Sequence, residues 1–289
     1  MHFKEVKGIL SAKNGMNLCR GCTHGCIYCD SRSRCYNMDH DFEDVQIKVN
    51  AAELLEEKLR SKRRPCIIGT GAMSDPYISI KESLSLTRTC LEIIEKYGFG
   101  LAIQTKSDLI LRDIDLLESI NKRAKCIVQI TLTTLDEDLC KIVEPNVSGT
   151  KERVEALKKI RERGITTVVW LGPLLPYIND TEENLKGILN YCIEAGVYGI
   201  VCFGMGMTLR EGSREYYYRN LDKHFPGLKE RYIKKYRNDY IITSENNSKL
   251  LSIFQNTCSA NNIIYDMKDL FSYIGTYEEK NVSKQMELF

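Results

Sequence analysis

Short apolar runs alternate with apolar stripes at helical spacing through most of the chain. Residues 66–69, 101–104, 126–132, the β-branched run 166–171 and residues 198–203 read as buried strands. Between them, Leu84, Leu91 and Ile94, then Ile114, Leu117 and Ile120, then Val154, Leu157 and Ile160 recur as one face of a helix. Leu185, Ile188, Leu189 and Cys192 mark a further helix, opened by Asp180 or Thr181. Gly98, Gly164 and Gly196 stand where helices stop. Asn50 is expected to cap a helix running through Arg60, with Leu54, Leu55 and Leu59 on one side. Residues 1–18 are expected to add one more strand, and residues 31–46 read as loop.

Strands alternating with helices at roughly thirty-residue intervals predict parallel βαβ units. Six such units cannot close an eight-stranded barrel. The expected fold class is α/β, a partial (β/α)6 barrel or open sheet, over residues 1–210. From Gly204 the pattern changes, because Gly204, Gly206 and Gly212 predict a flexible loop. A basic, tyrosine-rich segment follows at 214–237, and Leu250, Leu251, Phe254 and Cys258 mark another helix. Residues 211–275 are expected to form a helical extension and 276–289 a flexible tail.

Composition narrows the function. The 289 residues carry 41 Lys/Arg against 39 Asp/Glu, a net charge of +2, so whole-chain charge does not favour a nucleic-acid partner. The first eleven residues lack the apolar core of a leader, and no apolar run approaches a membrane span. Twelve cysteines without those signals suggest a reducing, cytoplasmic chain with one metal site and buried free thiols.

Three of those cysteines fall in Cys22-Thr23-His24-Gly25-Cys26-Ile27-Tyr28-Cys29. Gly21 and Gly25 let the backbone turn and aim the thiols at one centre. Thiolates select zinc, copper(I) or an iron–sulfur cluster, and three ligands on a four-iron cluster leave one iron open for chemistry. A zinc site completed by Cys19 is the alternative, but structural zinc draws on two separated cysteine pairs. Cys19 and Cys35 flank the motif; either is a candidate spare ligand, and a small buried residue is the expected role of both.

The C-x3-C-x2-C spacing with Tyr28 before the last cysteine resembles the signature of radical S-adenosylmethionine (radical SAM) enzymes. The resemblance implies Cys22, Cys26 and Cys29 as ligands of a [4Fe–4S] cluster. It also implies S-adenosylmethionine on the open iron, one-electron cleavage to a 5'-deoxyadenosyl radical, and a reductant such as flavodoxin or ferredoxin. Glycines 69 and 71, around Thr70, stand where that family contacts the cofactor's methionine end. Lys106 just past a strand is a candidate for the cofactor carboxylate, or a solvated surface lysine. Thr131 and Thr133 share one strand face and are candidates for the ribose; Glu144 and Arg153 form an orienting ion pair or a helix-start pair. Cys202, near the last strand's end, is the candidate for a thiol reaching the site.

More narrowly, residues 17–36, Gly71-Ala72-Met73-Ser74-Asp75-Pro76-Tyr77, Thr105-Lys106-Ser107, Glu144-Pro145 and Leu209-Arg210-Glu211-Gly212 resemble the spore photoproduct lyase-related group. That resemblance implies repair of a damaged DNA base and a cofactor contact at Ser74. It departs at Ala72, which occupies the position of that family's hydrogen-donating cysteine. Within 214–237, tyrosines interleave eight Lys/Arg with three Asp/Glu, either stacking bases or forming an amphipathic cover for the barrel edge. The ending Gln285-Met286-Glu287-Leu288-Phe289 looks like a sliding-clamp-binding peptide. The rival functions are a radical SAM enzyme acting on RNA, protein or a small molecule, and a non-catalytic zinc or iron–sulfur nucleic-acid module.

Overall fold

A computed structural model describes residues 1–280. The clamp-like ending at 285–289 lies outside the described residues. The chain begins with β1 (His2–Lys4), β2 (Gly15–Met16) and β3 (Cys19–Arg20), then β4 (Gln46–Lys48) and α1 (Ala51–Ser61). The regular series follows: β5 (Ile67–Thr70), α2 (Lys81–Lys96), β6 (Gly100–Thr105), α3 (Ile114–Arg123), β7 (Cys126–Leu132), α4 (Glu137–Val143), α5 (Thr150–Glu162), β8 (Thr166–Leu171), α6 (Glu182–Glu194) and β9 (Gly199–Val201). It ends with β10 (Gly206–Thr208), α7 (Ser213–His224), α8 (Leu228–Tyr236), β11 (Ile241–Thr243), α9 (Asn247–Ala260) and α10 (Met267–Gly275).

Six parallel strands form one sheet in the order β2-β5-β6-β7-β8-β9. Alternate residues of each strand face opposite sides. Ile68, Leu101, Ile103, Val128, Ile130, Val169 and Ile200 face the helices and share the main core with α1, α2, α3, α5, α6 and α9. Ile67, Ala102, Ile127, Val168 and Val201 face the other way and meet Leu270 and Ile274 of α10. Crossover helices on one face and strands in sequential order make a singly wound sheet, the partial barrel the alternation predicted, with α10 against its inner face.

The departures are local. Residues 1–18 split: β1 joins β4 and β3 in a separate small sheet, and only Gly15–Met16 reaches the main one. Asn50 sits at the start of α1, yet its side chain pairs with the Val6 backbone at 2.9–3.0 Å rather than capping. Thr181, not Asp180, caps α6. The glycines after 204 do not make a free loop. Gly206 lies where a Cβ would stand 2.0 Å from the Ile242 carbonyl oxygen, so β10 pairs tightly with β11. The first residues of the expected tail are fixed, with Lys125 N–H donating to Glu278 O and Lys280 N–H to Arg123 O, each at 3.0 Å.

Candidate active site

The cysteine loop leaves the main sheet after β2, so it lies at the C-terminal end of an edge strand, where α/β folds place their chemistry. Several distant segments brace it. The Cys22 N–H donates to Phe42 O and the Ile27 N–H to Val143 O, each at 3.0 Å. The Asn146 side chain donates to Thr23 O at 2.8 Å, and Ser74 Oγ donates to Gly21 O at 2.8 Å. Gly21 has φ +85°, and a Cβ there would sit 2.3 Å from the Phe42 carbonyl oxygen, so no other residue fits.

Cys22 and Cys26 are buried and Cys29 nearly so. Burial, then the Asp75 carboxylate, pushes the Cys22 thiol up to about 12. Burial raises Cys26 and Cys29 as well, so these thiols keep their protons at neutral pH until a cation displaces them. Among the described residues, the only set of three metal-type ligand atoms lying within 4.8 Å of one another is His2, His40 and Asp44, so the three thiols are not gathered that tightly. A single tetrahedral zinc, with Zn–S of about 2.3 Å, needs its sulfurs closer than that. Cys19, the fourth thiol of the zinc alternative, is turned into the core with its Sγ 3.4 Å from Ser83 Oγ. With Cys19 turned away, the loop offers three thiols, one fewer than a closed four-cysteine zinc site takes. Cys35 is exposed, with Arg210 Nη1 3.1 Å from its sulfur.

Beside the loop is a buried charged group. Glu144 follows α4 and is fully buried; Arg153 of α5 donates to its Oε2 at 2.6 Å and to Thr131 O at 2.8 Å. The Tyr28 hydroxyl donates to Glu144 Oε1, and Thr133 Oγ1 donates to the same oxygen at 3.0 Å. Lys106 Nζ lies 4.0 Å from that oxygen and keeps part of its side chain exposed. Burial works to raise the Glu144 carboxyl, but Arg153 and Lys106 outweigh it and hold it at about 2. Burial, followed by the charge of Glu144, raises the Tyr28 hydroxyl well above its usual value.

Tyr28, Lys106, Thr133, Glu144 and Arg153 therefore meet at one place, and Thr131 joins through its carbonyl. Gly71 is required by packing: with φ +97°, its Cβ would fall 1.9 Å from the Gln104 carbonyl oxygen. Gly69 has open space on the sheet's inner face, and Thr70 is buried. Ala72 is exposed and brings no thiol. Cys202 is a correction. Strand parity turns it to the helix side, buried near Cys258 of α9, so it does not reach the inner face.

His24 and Asp75 carry weight that sequence patterns did not show. Asp75 accepts from Thr105 Oγ1 and the Lys106 N–H at 2.7 Å and from the Tyr77 N–H at 2.8 Å, and lies 3.5 Å from His24 Nδ1. It thus ties the cysteine loop to the end of β6. Burial lowers the His24 imidazole despite that carboxylate.

The tyrosines of 214–237 are mostly committed inward. Tyr217, Tyr232 and Tyr236 are buried and share a core with Cys26, Ile27 and Tyr28. The Tyr217 hydroxyl donates to Tyr232 at 3.0 Å, and Tyr232 donates to Pro176 O at 2.8 Å. They cover the cysteine loop rather than present rings for stacking. Exposed aromatic surface lies at the opposite edge, where Phe203, 75 % exposed, meets Trp170 and Phe271 with ring centroids about 6 Å apart. Trp170 Nε1–H donates to Gln129 Oε1 at 2.8 Å on the same inner face.

A family model described as the Radical SAM superfamily matches residues 16–192. An uncharacterized protein of Mycobacterium tuberculosis is 30 % identical over 225 residues, 75 % of this chain and 65 % of its own. An uncharacterized protein of Methanocaldococcus jannaschii is 34 % identical over 177 residues, 60 % of this chain and 65 % of its own. The chain thus spans slightly less than two thirds of these relatives. A spore photoproduct lyase mutant superposes with TM-score 0.64 at 13 % identity, covering 89 % of this chain and 77 % of that one. A spore photoproduct lyase complexed with dinucleoside spore photoproduct gives 0.61 at 14 %, covering 84 % and 72 %. At such identity the likeness is one of fold. Among the described residues, no helix is long and apolar enough to cross a membrane.

Proposed function

The chain belongs to the radical SAM superfamily, and on that premise we propose that Cys22, Cys26 and Cys29 hold a [4Fe–4S] cluster beside S-adenosylmethionine and that the substrate is a base in DNA. The observation behind the enzymatic part is that the matched span contains the three-thiol loop at the strand-end face of a partial barrel. When bound, the reduced cluster supplies the electron that cleaves S-adenosylmethionine, yielding a radical that abstracts hydrogen.

The chain's own residues position and shield. Lys106 has charge to spare after Glu144 and is assigned the cofactor's carboxylate. Glu144, clamped by Arg153, fixes Tyr28 and Thr133 so that the wall beside Cys29 is rigid. Ser74 fastens the turn holding Gly69, Thr70 and Gly71 to the cysteine loop. Thr131 presents the inner face next to Trp170, its register partner on β8. An electron donor of the flavodoxin or ferredoxin type is required.

The exposed rings of Phe203 and Phe271 and the half-buried ring of Trp170 support a planar substrate, since a base stacked on an aromatic side chain gains about 1–3 kcal/mol. The fold shared with spore photoproduct lyases supports the same class. The photoproduct lyase reaction itself is not assigned, because Ala72 and the helix-facing Cys202 leave neither candidate thiol on the inner face. RNA, a protein or a small molecule is the alternative substrate.

The test is anaerobic. Protein reconstituted with iron and sulfide, reduced and given S-adenosylmethionine is expected to release 5'-deoxyadenosine, and the Cys26→Ala variant is not. An intact cluster with no product, or zinc without labile sulfide, overturns the assignment. A shift of single-stranded DNA with the wild type that is lost in Phe203→Ala supports the substrate class. Retention of a sliding clamp by the full chain, lost on removing 285–289, tests that partner.

A further inference from the structure

We propose that His2, His40 and Asp44, beside the small sheet, form a second metal site for a borderline divalent cation of the zinc type. Their ligand atoms all lie within 4.8 Å of one another. His2 lies on β1, and its register partner Gln46 starts β4, so β-pairing sets the imidazole beside the turn that carries Asp44. His2 Nδ1 is 2.9 Å from Asp44 Oδ2, a separation that one cation can span with bonds of about 2.0–2.2 Å to each.

The second observation comes from His40. Its ring meets the His2 ring edge-on with centroids 4.8 Å apart, and its Nδ1 is 3.0 Å from Asp41 O. Its Nε2 is buried and has no hydrogen-bond partner. A buried ring nitrogen left unpartnered is unfavourable unless something pairs with it. The nearest carboxylate outside the set, Asp39, is at 4.0 Å, beyond hydrogen-bond reach.

The outer arrangement also suits a ligand set. Metal-binding histidines normally donate the other ring N–H to an oxygen. Asp41 O already takes that role for His40. For His2, the buried Gln46 amide is 2.9 Å from Nε2. Turning that amide over places its oxygen there, and the two orientations of an amide are not distinguished by shape. His2 Nε2–H then donates to Gln46, and Nδ1 gives up its proton and becomes a lone-pair donor. Two imidazoles and a carboxylate, with a fourth position for water, match zinc, cobalt(II) or iron(II) and exclude the all-thiolate chemistry of the main site.

The placement gives the site a task. Between His40 and Asp44 lies Phe42, whose carbonyl accepts the Cys22 N–H at 3.0 Å. A cation joining β1 to both ends of this turn would stiffen the support of the first cluster cysteine.

The experiment uses the full-length reconstituted holoprotein, dialysed against buffered zinc and analysed for iron and zinc. One zinc per chain is expected beyond the cluster iron. Its X-ray absorption should show a nitrogen/oxygen shell at about 2.0 Å without sulfur at about 2.3 Å. His40→Ala and, separately, His2→Ala are expected to weaken zinc retention at least tenfold with cluster iron unchanged, while Cys35→Ser retains both. His2→Ala, at an edge-strand position, guards against misfolding of the His40 variant. A sulfur shell, no zinc above the cluster iron, or undiminished zinc in both histidine variants overturns the proposal.

Discussion

The two edges of the main sheet are built on opposite principles. At the β2 edge, the cysteine loop is held by backbone and side-chain hydrogen bonds from residues 42, 74, 143 and 146, beside a buried ion pair. At the β9 edge, Phe203 is 75 % exposed and its neighbours Trp170 and Phe271 are only partly covered. One edge spends polar contacts on fixing atoms in place, where small displacements would cost catalysis. The other leaves apolar surface uncovered, which is unfavourable unless a partner covers it. Rigidity at one edge and access at the other are what the proposed enzyme would need to hold a reactive group while admitting a base.

Substitutions at the two edges should therefore fail in different ways. The largest effect belongs to Cys26→Ala, expected to reduce 5'-deoxyadenosine release to background and to lower bound iron. Next is Arg153→Met, which strands a buried Glu144 carboxylate and is expected to cost about 3–5 kcal/mol in denaturant unfolding. The same pair predicts a pH response. Glu144 is held at about 2 when folded, below its unfolded value of about 4.3, so its contribution is fully present above the latter. That contribution fades as pH falls towards 2, and Glu144→Gln should flatten this acid limb in a pH series of unfolding curves. At the open edge, Phe203→Ala is expected to lower single-stranded DNA affinity by about 1–3 kcal/mol. Its unfolding midpoint should barely move, as should substrate-free cleavage of S-adenosylmethionine. Equal loss of both activities would erase the distinction between the edges. The smallest effect is expected from neutralising Lys234, Lys235 and Arg237, because Lys235 already pairs with Glu245 at 2.7 Å and Tyr236 between them faces inward.

The repeating core was legible because period and burial coincide: Val154, Leu157 and Ile160 face the sheet as their spacing requires. The three-thiol loop was legible because its three cysteines sit within eight residues. What stayed hidden depends on contacts across long separations. Asp75 serves residues thirty positions away on β6, and no local pattern marks it. The pairing of β10 with β11 was masked by glycines that read as loop yet serve close backbone approach. Cys202 stands near a strand end, but the alternation that puts Val201 inside puts Cys202 outside.

The bracing of the cysteine loop also bears on maturation. Ile27 and the carbonyl of His24 are fastened by Val143 and Asn146, and Arg34 N–H donates to Glu211 O. During synthesis the thiols emerge first, and the supports from Val143 and Asn146 follow more than a hundred residues later. A nascent chain would offer the iron–sulfur delivery machinery three loose cysteines without a frame. If the proposed cluster assignment holds, stable loading waits until the chain has folded past its midpoint, and chains truncated before Val143 should fail to retain iron.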